Sequence, residues 1–385
     1  MKRAIAVVLV MGVAVVGLLT GLRDHAQAGA AATRPPGARL VDSVGASAGV
    51  VWAIDRHGFV WLSMDSGRTW RISLRRTFTV RGPGVFKEPG PGVVANLDQV
   101  QFVDKRHGWI SATLDGDPNR PPIDTRPWAI ERTMDGGRSW RVSWLPGCGC
   151  DPGVLSFYDA RHGYVLAADR LGRGNPRLFW TNDGGASWQL VARPPHFGSI
   201  TFIDRRDGFL GTYPGSTITG PGGGGGKRWP GVLYRTTDGG KTWSRDRVPP
   251  PSLGLRLPIS SFGRRLVVAD GMGNHPRVYA SVDGGAHWTA FAPPRPVEAR
   301  VVDFSAGSPE AWAFLAPGRL YVTHDAGQKW DKIVPRGLPR PDDIYPLVFS
   351  SPRAGWTLMT RFRELYRTTD GGRHWTPVVL RRTTR

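Results

Sequence analysis

The stretch Thr236-Thr-Asp238-Gly-Gly240-Lys-Thr-Trp243 is one copy of an octapeptide that recurs seven times along this chain. Every copy has Ser or Thr first, Asp third, Gly fifth and Trp eighth. In such a stretch Asp accepts backbone N–H groups, Gly supplies a positive φ, and Trp covers apolar surface beside a turn. The octapeptide therefore predicts a hairpin turn with a structural Asp and Trp. The seven Asp residues are Asp65, Asp135, Asp183, Asp238, Asp283, Asp325 and Asp370, and the seven Trp residues are Trp70, Trp140, Trp188, Trp243, Trp288, Trp330 and Trp375.

The spacing of these copies predicts a β-propeller. Successive octapeptide Trp residues lie 70, 48, 55, 45, 42 and 45 positions apart, and a period of about 40 to 50 residues built from short strands is typical of propeller blades. A second pattern, Phe-x-Asp-x-x-x-Gly-aromatic, precedes several octapeptides, as in Phe102 to Trp109 and Phe157 to Tyr164. Alternating apolar residues on both sides of a tight turn indicate a hairpin. Each repeat thus predicts four strands, A to D, with the octapeptide as the C–D turn.

Seven repeats of this kind predict one closed, all-β, seven-bladed propeller between about Arg39 and Leu380. The octapeptides resemble those of the Asp-box, or bacterial neuraminidase, repeat proteins. Together with the Phe-x-Asp-x-x-x-Gly-aromatic pattern, they are most similar to the photosystem II assembly and stability factor family. That resemblance implies a non-catalytic binding or assembly role, although the fold is also shared by glycosidases, so it does not by itself choose a function.

The amino terminus has the three-part order of an export signal. Lys2 and Arg3 precede an apolar run from Ala4 to Leu22, and Ala26 to Ala28 offers a cleavage site with small residues. We therefore expect residues 1–28 to be a signal peptide, or an uncleaved signal-anchor, followed by a linker at 29–38 and the propeller at 39–385. The protein is expected outside the cytoplasm, either secreted or on the extracytoplasmic face of the membrane.

The charge balance indicates acidic partners. The chain carries 51 Lys and Arg against 31 Asp and Glu, a formal net charge of +20. For an exported protein this favours an acidic protein or glycan of the cell envelope, or an anionic membrane surface, and argues against nucleic acid. A coding bias towards Arg would produce the same excess, so the two explanations stay open. We expect a monomer without a cofactor.

The strand order also predicts where binding residues lie. The A–B and C–D turns of a four-stranded blade share one face, and the B–C loops and D–A connections share the other. Long insertions fall on the second face, which makes it one candidate surface. The A–B turns of several blades carry a basic residue, which would concentrate positive potential on the first face. These binding candidates are Arg106, Arg161, Arg206, Arg353 and, in the fifth blade, Arg264 or Arg265.

An exo-acting, sialidase-like glycoside hydrolase is the alternative function. Asp115 and Asp124 belong to a cluster of acids in one B–C loop and are the candidate catalytic pair, since glycosidases use two carboxylates. Against this, the Arg-Ile-Pro signature of sialidases is absent from the sequence. Cys148 and Cys150 are the only cysteines and predict a small intrachain disulfide, with pairing to another chain as the alternative. The sequence predicts no metal site.

Overall fold

Each repeat of the chain forms one sheet of four antiparallel strands in the computed structural model, and seven such sheets close into a ring. The structure describes residues 41–55, 59–74, 95–114, 128–147, 151–168, 176–212, 215–216, 228–250, 258–270, 276–293, 303–339, 344–359 and 363–380. No helix occurs among them, and none of them belongs to a helix that could cross a membrane. The predicted seven-bladed propeller is therefore confirmed.

The strands run from A, the first of each blade, to D. Blade one contains β1 (Val41–Ser47), β2 (Val50–Asp55), β3 (Val60–Ser63) and β4 (Arg71–Leu74); blade two contains β5 (Ala95–Phe102), β6 (Gly108–Leu114), β7 (Trp128–Thr133) and β8 (Arg141–Ser143). Blade three contains β9 (Asp151–Phe157), β10 (Gly163–Ala168), β11 (Arg177–Thr181) and β12 (Gln189–Ala192). Blade four contains β13 (Ser199–Phe202), β14 (Gly208–Gly211), β17 (Leu233–Thr236) and β18 (Ser244–Arg245), with the small pair β15 (Gly215–Ser216) and β16 (Arg228–Trp229) between its strands B and C.

The other three blades repeat the same order without an inserted pair. Blade five contains β19 (Ser260–Phe262), β20 (Arg265–Asp270), β21 (Arg277–Ser281) and β22 (Thr289–Phe291); blade six contains β23 (Asp303–Ala306), β24 (Trp312–Ala316), β25 (Arg319–Thr323) and β26 (Asp331–Ile333). Blade seven contains β27 (Ile344–Phe349), β28 (Gly355–Met359), β29 (Glu364–Thr368) and β30 (Thr376–Val378).

The hydrophobic core lies in the seams between blades. One cluster joins Trp109 and Ile130 of blade two to Phe157 and Phe179 of blade three. Trp109 and Phe157 stack with centroids 3.5 Å apart. Sheets buried on both faces need a neighbour on each side, because neither face can remain exposed to water at acceptable cost. This explains why the apolar strands of each blade fold only as part of a ring.

The inner strands are tied to one another by polar side chains. Gln101 on β5 donates to the carbonyl oxygen of Phe157 and accepts from its N–H, both at 2.9 Å. Ser47 accepts the N–H of Phe102 in the same manner, at 2.8 Å. An inner strand has one unpaired edge, and these bonds satisfy part of it. Further bonds of this type join Ser156 to Phe202, Thr201 to Ile259, and Ser305 to Phe349.

The ring closes by packing blade one against blade seven, without exchange of a strand between them. The N–H of Val41 donates to the carbonyl oxygen of Arg363 at 2.8 Å, and the Arg363 guanidinium pairs with Asp42 at 2.6 Å. Fully buried Trp356 of blade seven lies against Gly67 in the octapeptide of blade one. The two terminal blades thus use the same kind of seam as the internal ones.

Candidate functional site

The octapeptide is a self-contained hydrogen-bonded turn. In blade four the Thr236 hydroxyl accepts the N–H of Gly240 at 2.9 Å and donates to Asp238 at 2.8 Å. The other Asp238 oxygen accepts the Thr242 hydroxyl at 2.6 Å. Gly240 has φ +85°, and a Cβ there would overlap Leu178 of the preceding blade, so the turn is also the point of contact between blades.

These bonds fix the electrostatic state of the octapeptide carboxylates. Burial would raise the pKa of Asp238, but hydrogen bonds from the hydroxyl and amide of Thr242 outweigh it and lower the pKa to about 2. Asp65, Asp183 and Asp370 have the same balance and also reach a pKa of about 2. Carboxylates committed to their own turn in this way are poor acids, bases or ligands. The structural role of the octapeptide Asp stays a prediction, which the variants of the turn would test.

The octapeptide Trp residues fall into two groups by burial. Trp188 and Trp375 are buried, at 5% and 2% exposure, whereas the other five are half-buried. Trp243 donates to the carbonyl oxygen of Gly240 at 3.0 Å and meets the edge of Phe202. The Trp side chains therefore cover the seams beside their turns, and aromatic residues of strands A, B and C lie within the seam clusters.

The A–B turns dock onto the octapeptides of their own blades. In blade two the Asp104 carboxylate accepts the N–H groups of Arg106 and His107 at 2.6 and 2.7 Å, which shapes the turn. The carbonyl oxygen of Arg106 then accepts the N–H of Gly136 in the octapeptide at 2.8 Å. The A–B turns and the octapeptides consequently lie on one face, as predicted from the strand order. We call this the octapeptide face.

The same carbonyl contact recurs in six blades. Its acceptors are the backbone oxygens of Arg106, Arg161, Arg206, Arg264, Glu310 and Arg353. The structure thereby selects Arg264 over Arg265 as the equivalent residue of blade five. In blade six the position is Glu310, which pairs with Arg265 of blade five. Blade one has a short turn at Ala48 and Gly49, both with positive φ, and no equivalent residue.

The five candidate arginines differ in what their side chains contact. Arg206 donates through Nε to the carbonyl oxygen of Thr237 at 3.2 Å. Arg264 approaches Asp207 at 3.4 Å and Asp204 at 3.6 Å, which joins the A–B turns of blades four and five. Among the five, the side chains of Arg106, Arg161 and Arg353 form no hydrogen bond or ion pair with any residue that the structure describes. All three residues are exposed.

Two further cations of the octapeptide face are held by blade-to-blade contacts. The guanidinium of Arg205 lies over the Trp180 ring of blade three at 4.8 Å, a cation–π arrangement. Arg71 of blade one donates to the carbonyl oxygens of Gly136 and Gly137 in the next octapeptide. These two arginines stabilise the seams between blades. They differ in this from Arg106, Arg161 and Arg353, whose side chains have no partner among the described residues.

Several sequence-predicted residues lie outside the part of the chain that the structure describes. They are the candidate acids Asp115 and Asp124, the cysteine pair Cys148 and Cys150, the signal and linker at 1–38, and most of the long B–C and D–A insertions. Among the residues that are described, no group of three His, Cys, Asp or Glu side chains is placed to hold a metal ion.

One of the buried acids, Glu131, lies at a position that the predicted sites do not include. Glu131 on β7 is 2% exposed, and burial raises its pKa to about 7. The position two residues before the octapeptide is aromatic in the other six blades, where it fills the seam with the preceding blade. Those residues are Trp61, Phe179, Tyr234, Tyr279, Tyr321 and Tyr366. Alignment of the seven repeats at the octapeptide would have revealed Glu131 as the exception.

Comparisons with known proteins agree with the repeat. The BNR/Asp-box repeat model matches residues 234–245, which include the octapeptide of blade four. The photosystem II assembly lipoprotein Ycf48 of Synechococcus sp. (strain CC9902) is 28% identical over 106 residues, which cover 27% of this chain and 31% of that relative. The match therefore spans about a third of the relative's length.

Solved structures show a similar architecture. YCF48 from Cyanidioschyzon merolae is 18% identical, with 76% of this chain and 89% of that chain covered and a TM-score of 0.50. A structure of YCF48 bound to a D1 peptide is also 18% identical, covers 74% and 81% of the two chains, and has a TM-score of 0.47. At such identities the structural likeness concerns the fold alone. With seven octapeptide turns in seven four-stranded blades, the chain is an Asp-box β-propeller that resembles the Ycf48 proteins.

Proposed function

We propose that this protein is an exported, non-catalytic assembly factor whose octapeptide face binds an acidic segment of a protein partner. The relative from Synechococcus supports this proposal through its description as an assembly lipoprotein. The net charge of +20 supports an acidic partner. The amino-terminal apolar run supports a location outside the cytoplasm.

The arrangement of the A–B arginines is the observation that carries the proposal. In five blades the backbone oxygen of the arginine holds the turn against the octapeptide. The side chain is therefore not needed for that contact. Arg106, Arg161 and Arg353 have exposed side chains without a partner among the described residues. A guanidinium with two parallel N–H donors is well suited to a carboxylate.

The neighbouring acids do not cancel this positive surface. Asp104 and Asp159 accept the amides of their own turns. Burial would raise the pKa of each of them, but hydrogen bonds led by those from His107 and His162 outweigh it and lower the pKa. Each carboxylate is thus directed into its turn, while the arginine two residues later is exposed and has no side-chain partner among the described residues. Exposed arginines on several blades of one face raise the local positive potential, which steers an acidic segment towards it.

The test is a triple variant, Arg106→Ala/Arg161→Ala/Arg353→Ala. A fluorescent oligoglutamate peptide, titrated at several salt concentrations, serves as the probe. We expect the triple variant to bind about tenfold more weakly and with a shallower salt dependence, because three exposed ion pairs of about 0.5 kcal/mol each sum to about 1.5 kcal/mol. The melting temperature should stay close to that of the wild type, since the backbone oxygens that hold the turns remain.

Arg264→Ala is the matched control, because its side chain is already engaged by Asp207 and Asp204. Arg264→Ala should weaken binding of the peptide less than a single alanine substitution of Arg106, Arg161 or Arg353. Unchanged affinity and unchanged salt dependence in the triple variant would exclude the octapeptide face and leave the opposite, loop-rich face. Equal binding of a sulfated glycan and the peptide would show that charge density, and not a protein segment, is recognised.

A further inference from the structure

The octapeptide of blade one lacks a contact that the other six octapeptides make. In those six blades the N–H of the fourth octapeptide residue donates to a backbone oxygen in the A–B turn of the same blade. The fourth residue in blade one is Ser66, and the A–B turn of this blade consists only of Ala48 and Gly49, between β1 and β2. The Ser66 N–H therefore has no hydrogen-bond partner among the described residues.

A second unpaired donor lies beside this turn. Trp356 of blade seven is fully buried, and its Nε1 has no hydrogen-bond partner among the described residues. The same atom is 2.7 Å from the position that a Cβ on Gly67 would occupy, so the indole N–H lies next to the chain at Ser66. The equivalent Trp109 of blade two instead donates to the carbonyl oxygen of Gly184 in the next octapeptide, at 2.9 Å. A buried N–H without an acceptor is costly and calls for an explanation.

A third unpaired donor lies on the strand next to Trp356. Arg367 on β29 is directly opposite Trp356 on β28, so the two side chains leave the same face of blade seven, with Cβ atoms about 5 Å apart. The Nε of Arg367 is buried and also has no partner among the described residues. Arg235, at the same position in blade four, is engaged with the next octapeptide, because it donates to the carbonyl oxygen of Gly285 at 3.2 Å.

The charge around these donors is positive. Burial lowers the pKa of Arg367, the nearby Arg68 lowers it further, and Asp65 acts in the opposite direction. Arg367 therefore faces the blade-one octapeptide and lies within reach of the charge on Arg68, which is exposed. Asp65 is held in its own turn by hydrogen bonds from the hydroxyls of Ser63 and Thr69. We define the blade-one notch as Ser66, Arg68, Trp356 and Arg367.

The notch lies among the A–B arginines of the octapeptide face. Arg353 precedes Trp356 by three residues in blade seven, and Arg106 belongs to blade two, on the other side of blade one. Blade one has no A–B arginine of its own. A segment that contacts both Arg353 and Arg106 therefore crosses blade one, where the notch is.

We propose that the blade-one notch binds one carboxylate side chain, an Asp or Glu of the acidic segment that the octapeptide face receives, and this site rests on the proposed function. The guanidiniums of Arg68 and Arg367 supply positive charge and parallel N–H donors, which suit a carboxylate. The Ser66 amide and the Trp356 indole are neutral donors beneath them, which the carboxylate reaches as the long arginine side chains turn towards it. Each of these bonds is gained without breaking one within the protein, because the fold leaves the donors unpaired.

The indole N–H resonances of the isotope-labelled, full-length protein test the proposal. The probe is N-acetylglutamate α-amide, which has one side-chain carboxylate, and the signal of Trp356 is identified by its loss in Trp356→Phe. At constant ionic strength we expect the probe to shift the Trp356 signal but not that of Trp109, whose N–H is already bonded to Gly184. The neutral glutamine analogue should shift neither signal. No shift of Trp356 with the probe, or an equal shift with sulfate, would overturn the assignment to a carboxylate.

Two variants and a matched control locate the site. Arg367→Gln should abolish the shift of the Trp356 signal, whereas Arg235→Gln, at the same position in blade four, should keep it. An unchanged Trp109 signal shows that each variant is folded. A shift that persists in Arg367→Gln would overturn the proposal.

The fluorescent oligoglutamate peptide separates this proposal from the proposed function. Trp356→Phe should weaken peptide binding about fivefold, the effect of one hydrogen bond, and Arg367→Gln about tenfold, the effect of a bond to a charged group. Peptide binding that depends on Arg106, Arg161 and Arg353 but not on Trp356 or Arg367 would overturn the notch and leave the proposed function. A shift of Trp356 with the small probe, when the arginine triple variant binds the peptide normally, would support the notch and exclude the proposed function.

Discussion

Glu131 shows how one residue can depart from the repeat while the fold persists. Its backbone pairs with Ile110 on β6 and Val142 on β8, so β7 keeps the register of its sheet. Its side chain replaces the aromatic ring that the other blades place in the seam. A carboxyl group in that position is stable only in its neutral form unless a charge compensates it, because burial penalises the ionised state.

Glu131 should make the stability of the protein depend on pH near neutrality. The ordinary pKa of 4.5 rises to about 7 in the folded protein, so between these values the folded state keeps a proton that the unfolded state has released. The free energy of unfolding should therefore fall as the pH rises through this window, by on the order of 3 kcal/mol. Urea unfolding of the wild type and of Glu131→Gln at about pH 5 and about pH 8 measures this difference.

The Gln variant should lose less stability than the wild type between those two pH values, because it has no proton to release. Parallel pH dependence in the two proteins would show that Glu131 titrates normally in the folded state.

At the scale of a structural element, the octapeptide combines a local turn with a contact between blades. Its hydrogen bonds join residues two to four positions apart, as in the bonds from Thr236, Gly240 and Thr242. Its Gly and Trp touch residues of the preceding blade, and those contacts vary from seam to seam. The turn is thus equivalent in all repeats, whereas the depth to which its Trp is buried is not.

The two burial classes of octapeptide Trp should differ in their effect on stability. Trp375→Ala removes a side chain that is 2% exposed and packed against Phe349, and we expect a loss of roughly 5 kcal/mol. Trp243→Ala removes a half-buried side chain and should cost roughly 3 kcal/mol, at the lower end of the range for large aromatic residues. Denaturant unfolding of both variants provides the comparison. Equal losses would show that burial in the seam does not control the cost.

At the scale of the whole molecule, stability depends on closing the ring. Every blade buries its two faces against its neighbours, so blades one and seven must bury theirs against each other. The cluster at this junction combines Val44 and Trp61 of blade one with Trp356 and Leu365 of blade seven, and it also includes Leu380. An open ring would expose this entire cluster and two sheet faces to water.

Removal of residues 367–385 should therefore unfold the whole protein and not blade seven alone. This truncation removes the last two residues of β29, the octapeptide of blade seven, β30 and Leu380, which belongs to the junction cluster. Circular dichroism should show that the cooperative thermal transition is lost. The control truncation removes 381–385 only and should retain the transition. A cooperative melt of the longer truncation would show that the remaining blades fold without closure.

Much of the architecture could be predicted from the sequence, because its information is local and repeated. The octapeptide, the Phe-x-Asp-x-x-x-Gly-aromatic pattern and their spacing each describe contacts within one hairpin, and seven copies reinforce the same interpretation. The blade count, the strand order and the face that carries Arg106, Arg161 and Arg353 follow from these patterns. Four of the five arginine positions were visible for the same reason, and the fifth was narrowed to Arg264 or Arg265.

Contacts between blades control which of these arginine side chains are engaged and which are not. Arg264 is paired with Asp207, 57 positions earlier in the chain, whereas Arg106 has no such partner among the described residues. Arg363 and Asp42 close the ring across 321 positions. Such contacts join different blades, and their distances depend on how the sheets pack, which no local pattern encodes. The repeated local patterns therefore predict the blades and their turns, while packing between blades controls the burial of Glu131 and leaves only some of the arginines unpaired.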